Sequence, residues 1–430
     1  MGNEKISLSR DNVLLIIVAG IASYLDAALL VSLGVALPIW ADYLHLNSWI
    51  VGLLSTTLTI AVAVGSFAGG WLSDKFGRVT VFNYDILFVA IGSAIVAFSR
   101  DVPLLLVGVI VAGLASGADL PTSLAVISER MDKRTYGRAI ASTQIFWTVG
   151  ILLSQFIGML SANAGMGSPM TLFGWIGLVA FVNWCVRVFS KNFRQIEEGL
   201  AEVVEEKMES VGEVKKRYKL RELLRNSSYL LPLIFLTTFY LFWNLPANTW
   251  GSFVNYFIVT VDNRSQLYST VIALVANVFC LLVNVIYLKI SDSKYRYKAM
   301  YVGIATALIA FLSAGIFSDH WQVFTFAYIF YSGSTVLCGE ALYKIWSQTF
   351  YPVDARATLT GFSYGFVRII TAMFSLITPT LMGYSPKILL WIMVGCTLVF
   401  GTCALIIVHL VKRFKVSDPT TIGHALSNES

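Results

Sequence analysis

Apolar runs of about 20 residues recur down the whole chain, and a helix needs a run of about that length to cross the hydrocarbon core of a bilayer. Of 430 residues, 57% are apolar and only 13% are charged, where an ordinary soluble domain carries about 25% charged residues. The pattern predicts an all-α membrane protein with twelve transmembrane spans, at about 12–38, 48–72, 79–99, 102–128, 136–160, 168–190, 228–258, 266–290, 297–317, 320–349, 357–382 and 386–412. The polar start Met1–Asn12 leads directly into span 1 and is not expected to be a cleaved leader.

The net charge of +6 does not point to nucleic acid. Of 31 Lys and Arg, only Arg100, Arg264 and Lys387 fall in odd-numbered loops or at the span ends that border them, and Lys344 and Arg368 lie inside spans. The rest lie in the tails, in even-numbered loops or at span ends that border them. Basic loops stay on the cytoplasmic side, so both termini are expected there, in a cell membrane. The stretch 191–227 interrupts the apolar pattern, acidic at Glu197–Glu209 and basic at Lys215–Arg221. Its apolar residues recur at helical spacing, which predicts an amphipathic linker on the inner membrane surface. It divides the chain into 1–190 and 228–415, with a tail at 416–430. The five cysteines all lie in apolar runs without metal-ligand spacing, so no metal or cofactor is expected. Nor is there a phosphate-cradling Gly-x-x-x-x-Gly-Lys-Ser/Thr segment or a Ser/His/Asp grouping to support an ATPase or an enzyme.

Charged residues inside spans are costly unless they reach water or a partner. Asp26 lies near the middle of span 1, and Asp119 lies in span 4 within Gly113-Leu-Ala-Ser-Gly-Ala-Asp-Leu-Pro-Thr-Ser123. Asp119 and Ser123 share a helix face, and Gly113 and Gly117 allow close helix contact. Asp85, early in span 3, is read as joining a cytoplasmic charge cluster. Span 7 carries Trp243, Asn244, Asn248, Trp250 and Asn255, with Pro246 expected to break the helix among them. Amides replace the hydrogen bonds that a hydroxyl loses on leaving water, and aromatic faces suit the C–H faces of cyclic polyols. Gln144 and Trp147 in span 5 and Asn277 in span 8 are further candidates to line a binding site. Glu340 and Lys344 in span 10 are four apart and oriented to pair, with Arg368 near the middle of span 11. Asp26, Asp119 and Glu340 oppose Lys344 and Arg368, which leaves one carboxylate over. Desolvation disfavours the charged form of such a group, so it can take up a proton.

The loop after span 2, Gly69-Gly-Trp-Leu-Ser-Asp74-Lys-Phe-Gly77-Arg78, resembles the signature between the second and third helices of the major facilitator superfamily, with Gly70, Asp74, Lys75, Gly77 and Arg78 matching. Asp292 and Arg296 repeat the Asp74–Arg78 spacing in the second half without the glycines. The span 4 motif ending in Glu129, with Arg138 following, resembles the sugar-porter and phosphate-symporter branch. So does Phe350-Tyr-Pro352 before Arg356-Ala357. Two departures separate the chain from both: Leu120 replaces an aromatic hydroxyl, and Val109 replaces an arginine. The amide and tryptophan run of span 7 and the Trp346-Ser-Gln348 stretch look most like bacterial inositol-type members.

The resemblance implies two pseudo-symmetric six-helix halves around a midplane site lined by spans 1, 4, 7 and 10. It implies an ion-pair latch of Gly70, Asp74, Gly77, Arg78, Glu129, Arg138, Asp292, Arg296 and Arg356. The function expected is proton-coupled symport of a small polyhydroxy solute such as inositol, with Asp26 or Asp119 carrying the proton. Sodium would also suit these carboxylates. The partners are the solute, H+ and the bilayer, and a monomer is expected to suffice. The alternatives are an importer of a small organic anion held by Lys344 and Arg368, and a membrane sensor that binds its solute without moving it.

Overall fold

A computed structural model describes residues 10–76, 78–130, 136–190, 227–290, 295–350 and 353–414. Its helices are α1 (Arg10–Tyr43), α2 (Ser48–Phe76), α3 (Arg78–Phe98), α4 (Val102–Arg130), α5 (Tyr136–Leu160), α6 (Gly167–Phe189), α7 (Ser227–Tyr256), α8 (Gln266–Ile290), α9 (Arg296–Ile316), α10 (Trp321–Leu337), α11 (Glu340–Phe350), α12 (Val353–Tyr384) and α13 (Pro386–Arg413). A single π turn, Phe257–Val261, follows α7. Ten helices among the described residues are long and apolar enough to cross a membrane. With α5, and with α10 and α11 together as one span, the count is twelve transmembrane spans in two six-helix halves.

Two sequence expectations change. Span 1 runs on past Pro38 to Tyr43, and α7 continues through Pro246 instead of breaking there. A proline removes one backbone donor and frees one carbonyl, and a membrane helix tolerates this where neighbouring groups satisfy the backbone. The break falls instead in span 10, at Cys338–Gly339 between α10 and α11.

Contacts divide the chain into two compact units, Met1–Val214 and Lys215–Ser430. In the first unit α1 packs on α4, α5 and α6, α4 on α2 and α3, and α3 on α6. In the second, α7 packs on α11, α12 and α13, α10 on α8 and α9, and α9 on α13. Taken span by span, these are the same six pairings. The turns repeat as well. His45 and Asn263 both adopt left-handed backbone, at φ 50 and 52. Two residues after each, Asn47 caps α2 by accepting from Ile50 N at 2.9 Å, and Ser265 caps α8 by accepting from Tyr268 N at 3.2 Å. Side-chain oxygens at these positions satisfy amides that a helix start leaves unpaired.

Each unit is held by apolar packing with close backbone approach. A Cβ on Gly117 of α4 would meet the backbone carbonyl of Val62 on α2, and one on Gly65 of α2 would meet that of Leu114 on α4. The outward faces are apolar, with Phe181 and Phe189 on α6, Phe326 and Phe330 on α10, and Ile369 and Met373 on α12 all exposed. Apolar surface on this scale belongs against lipid.

Candidate functional site

In the N-terminal unit the intramembrane charges meet around Arg187, whose side chain is fully buried. Its Nη1 donates to Asp119 Oδ1 at 2.9 Å and its Nη2 to Asp119 Oδ2 at 3.3 Å. Nη1 also reaches Asp85 Oδ1 at 3.4 Å and the carbonyl of Phe82, and Nη2 reaches the carbonyl of Val18 at 3.4 Å. The guanidinium lies 3.6 Å over the Phe82 ring, a favourable place for a cation. Ser123 donates to Asp119 Oδ1 at 2.9 Å, as their common face predicts. Asn183, one turn before Arg187, donates to the same Val18 carbonyl at 3.1 Å. The cluster ties together α1, α3, α4 and α6.

This arrangement revises the charge count made from the sequence. Arg187 lies close to the end of span 6 and was counted there among the basic residues bordering the linker. It is instead the partner of Asp119. Asp85 belongs to the same cluster and is buried. The usable signal was the pair Asn183 and Arg187, four apart on one helix face. Asp26 is buried in the middle of α1.

In the C-terminal unit, α7, α11 and α12 bring polar and aromatic side chains together. Tyr240 stacks on Tyr343 with ring centres 4.4 Å apart, and on Trp243 at 5.8 Å. Tyr364 meets Tyr240 and Tyr343 edge-on, at 5.1 and 5.3 Å. A ladder of side-chain bonds joins α7 to α12. Thr237 donates to Ser363 at 2.9 Å, Thr371 donates to Asn244 Oδ1 at 3.1 Å, and Asn248 Nδ2 donates to Ser375 at 2.8 Å. Both asparagines are only partly buried, and each amide keeps further donor or acceptor capacity. The Trp243 ring presses on Gly339 at the break between α10 and α11, and its Nε1 finds no acceptor among the described residues. Glu340, in the first turn of α11, pairs with Lys344 at 2.9 Å, their side chains 41% and 54% exposed. Charges so open within a span are affordable only where water reaches them.

The remaining candidates are dispersed. Trp250 is 2% exposed, walled by Phe257, Phe311 and Phe324, so it offers no ring face to a solute and is core. Asn277 donates to the Ala273 carbonyl of its own helix at 2.8 Å. Trp147 is partly buried on α5, and Arg368 is exposed on α12. The side chains of Gln144, Asp74, Arg78, Glu129, Arg138 and Arg356, together with Gly77 and Asp292, lie outside the described residues. Of the latch set, Gly70 lies within α2, and Arg296 is buried at the start of α9. Sequence reasoning missed Tyr240, Tyr343 and the α12 hydroxyls. Tyrosine and threonine are too common in membrane helices to stand out without the packing.

The sequence model of the Major Facilitator Superfamily matches residues 15–375. The chain is 27% identical over 390 residues to the minor myo-inositol transporter IolF of Bacillus subtilis, covering 88% of this chain and 87% of that protein. It is 25% identical to the putative metabolite transport protein YwtG of the same species, covering 89% and 86%. A crystal structure of a D-xylose-proton symporter superposes with a TM-score of 0.72 at 15% identity, over 94% of this chain and 98% of that one. The inward-open xylose transporter XylE of E. coli gives 0.69 at 13% identity, over 92% and 95%. With a match that spans most of the chain, and with the paired helix packing of its two halves, the protein belongs to the Major Facilitator Superfamily.

Proposed function

We propose that the protein is a secondary active transporter that couples an inward proton gradient to uptake of a small polyhydroxy solute, a sugar or a cyclic polyol, by alternating access. The observation that carries this reading is the wall on α7, α11 and α12. It offers amide groups with spare hydrogen-bonding capacity at Asn244 and Asn248, and the partly buried Tyr364 ring, held edge-on by the buried rings of Tyr240 and Tyr343. A neutral solute rich in hydroxyls needs a replacement hydrogen bond for each group that leaves water, and flat apolar surface for its ring. The relatives support the same class. IolF is named as a myo-inositol transporter; the solved structures, xylose and peptide transporters among them, support the fold alone.

Glu340 and Lys344 neutralise one another at 2.9 Å, which favours a neutral solute over an anion at this wall. The distribution of basic residues supports cytoplasmic termini. Asp26 and the Asp119 cluster are the candidates for proton coupling. The test is competition for uptake of labelled myo-inositol into proteoliposomes by unlabelled polyols, hexoses and organic acids. The reading expects inhibition by polyols or hexoses. Inhibition by carboxylates alone would replace it with an organic-anion importer in which Lys344 and Arg368 hold the substrate.

A further inference from the structure

The cluster around Arg187 has a composition that a purely structural ion pair does not need. One guanidinium, always charged, serves two carboxylates, and the three side chains are 0%, 4% and 2% exposed for Arg187, Asp85 and Asp119. With both carboxylates ionised the group would carry one excess negative charge away from water, a costly state. The partners are unequally shared. Asp119 has both its oxygens on the guanidinium and a bond from Ser123. Asp85 has one long contact to Arg187 and the amide of Ile86 at 2.7 Å, both on Oδ1. Its Oδ2 is buried without a hydrogen-bond partner among the described residues. Asp85 Oδ1 and Asp119 Oδ1 lie on the same nitrogen, Arg187 Nη1, at 3.4 and 2.9 Å, and two carboxylates set so close repel unless one of them holds a proton.

Resting on the symport reading above, we propose that the Asp85–Asp119 pair on Arg187 is the proton-binding site of the transport cycle, with the proton seated on Asp85. Protonated, the cluster is neutral and α1, α3, α4 and α6 close over it as they do in this structure. Deprotonated, it needs water, and the four helices must part to admit it.

Among the described side chains, few other titratable groups face the cluster; those of Arg10 and Asp11 at the start of α1 lie outside them. On α1, Tyr24 accepts from Trp175 Nε1 at 2.7 Å, Asp26 is buried two turns from Val18, and Asp42 and Tyr43 lie at the far end. Tyr84 on α3 is exposed and Cys185 on α6 is partly buried. The side chains of Asp74 and Lys75 on α2, Arg78 on α3, Glu129 and Arg130 on α4, and Tyr136 and Arg138 on α5 lie outside the described residues.

The test reads the proton directly. Infrared spectra of the purified full-length protein at neutral pH are compared for wild type, Asp85→Asn and Asp119→Asn. Each variant leaves one carboxylate on Arg187, a neutral cluster that should fold, and two variants guard against one failing to do so. The expected result is a protonated-carboxyl C=O component in the wild type that is lost in both variants. In proteoliposomes, gradient-driven accumulation of labelled myo-inositol should fall to simple equilibration in both, with exchange retained. A carboxyl component unchanged in both variants would overturn the proposal whatever the transport result. Loss of the component together with a wild type that ignores the gradient would uphold the proton site and overturn the symport reading.

Discussion

Gly339 has no side chain because Trp243 occupies the place where one would be. A Cβ there would meet the indole ring and the carbonyl of Thr335, so Gly339→Ala must push Trp243 off its stack on Tyr240. Overpacking of this kind costs about 1–3 kcal/mol. The thermal midpoint of Gly339→Ala should fall, and solute affinity should weaken by about tenfold as the packing of α7 beside Asn244 shifts. Trp243→Phe placed on top should recover part of the lost stability by making room. Equal stability for Gly339→Ala and wild type would contradict the packing described.

Asp262, just beyond the π turn, gives a second residue-scale test. Burial pushes its carboxyl up to about 6 from an ordinary value of 3.8, with Arg264 pulling the other way. The folded protein therefore holds this proton more tightly than the unfolded chain. The resulting stability is full below about pH 3.8 and is lost as pH rises through about 6. Asp262 is partly exposed, and solvent screening reduces the effect to about 1 kcal/mol. Asp262→Asn should flatten that part of the stability profile, read as thermal midpoint against pH. At this scale the sequence was uneven. Asp119, Ser123, Asn244 and Asn248 could be picked out because polar groups are rare in apolar runs. Arg187 could not, because a charge near a span end looks the same whether it snorkels to water or turns inward.

At the scale of elements, close crossings decide the packing. The backbone of α2 passes so near α4 that a side chain at Gly117 would strike the Val62 carbonyl. A backbone atom in a helix cannot yield as a flexible side chain can. Gly117→Val should therefore destabilise by about 3 kcal/mol, measured as a drop in the detergent thermal midpoint. A substitution on the open face of α12, such as Ile369→Val, should change little. Small residues at helical spacing announced this crossing in the sequence. The break in span 10 was not announced. Pro246 looked like the breaker, but α7 runs through it, while the discontinuity falls at Cys338–Gly339, where the Trp243 ring presses on the glycine. Local propensity does not report which large side chain a neighbouring helix will bring.

At the scale of the whole molecule, duplication explains why so much could be read early. The same six span pairings, the same left-handed turn and the same cap two residues later occur in both halves, although only the Asp–Arg spacing of the signature loop survives in the second. The functional elements do not follow the repeat. The buried charge cluster lies in the N-terminal unit, and the amide and aromatic wall lies in the C-terminal unit. Under the proposed symport, the first unit would handle the ion and the second the solute.

The most direct measurement is uptake of labelled myo-inositol into proteoliposomes with an imposed inward proton gradient, with and without a protonophore. Accumulation above the external concentration that collapses when the protonophore is added is the predicted result. Uptake that stops at equal concentrations on both sides, with or without the gradient, would contradict proton-coupled symport and leave a facilitative carrier.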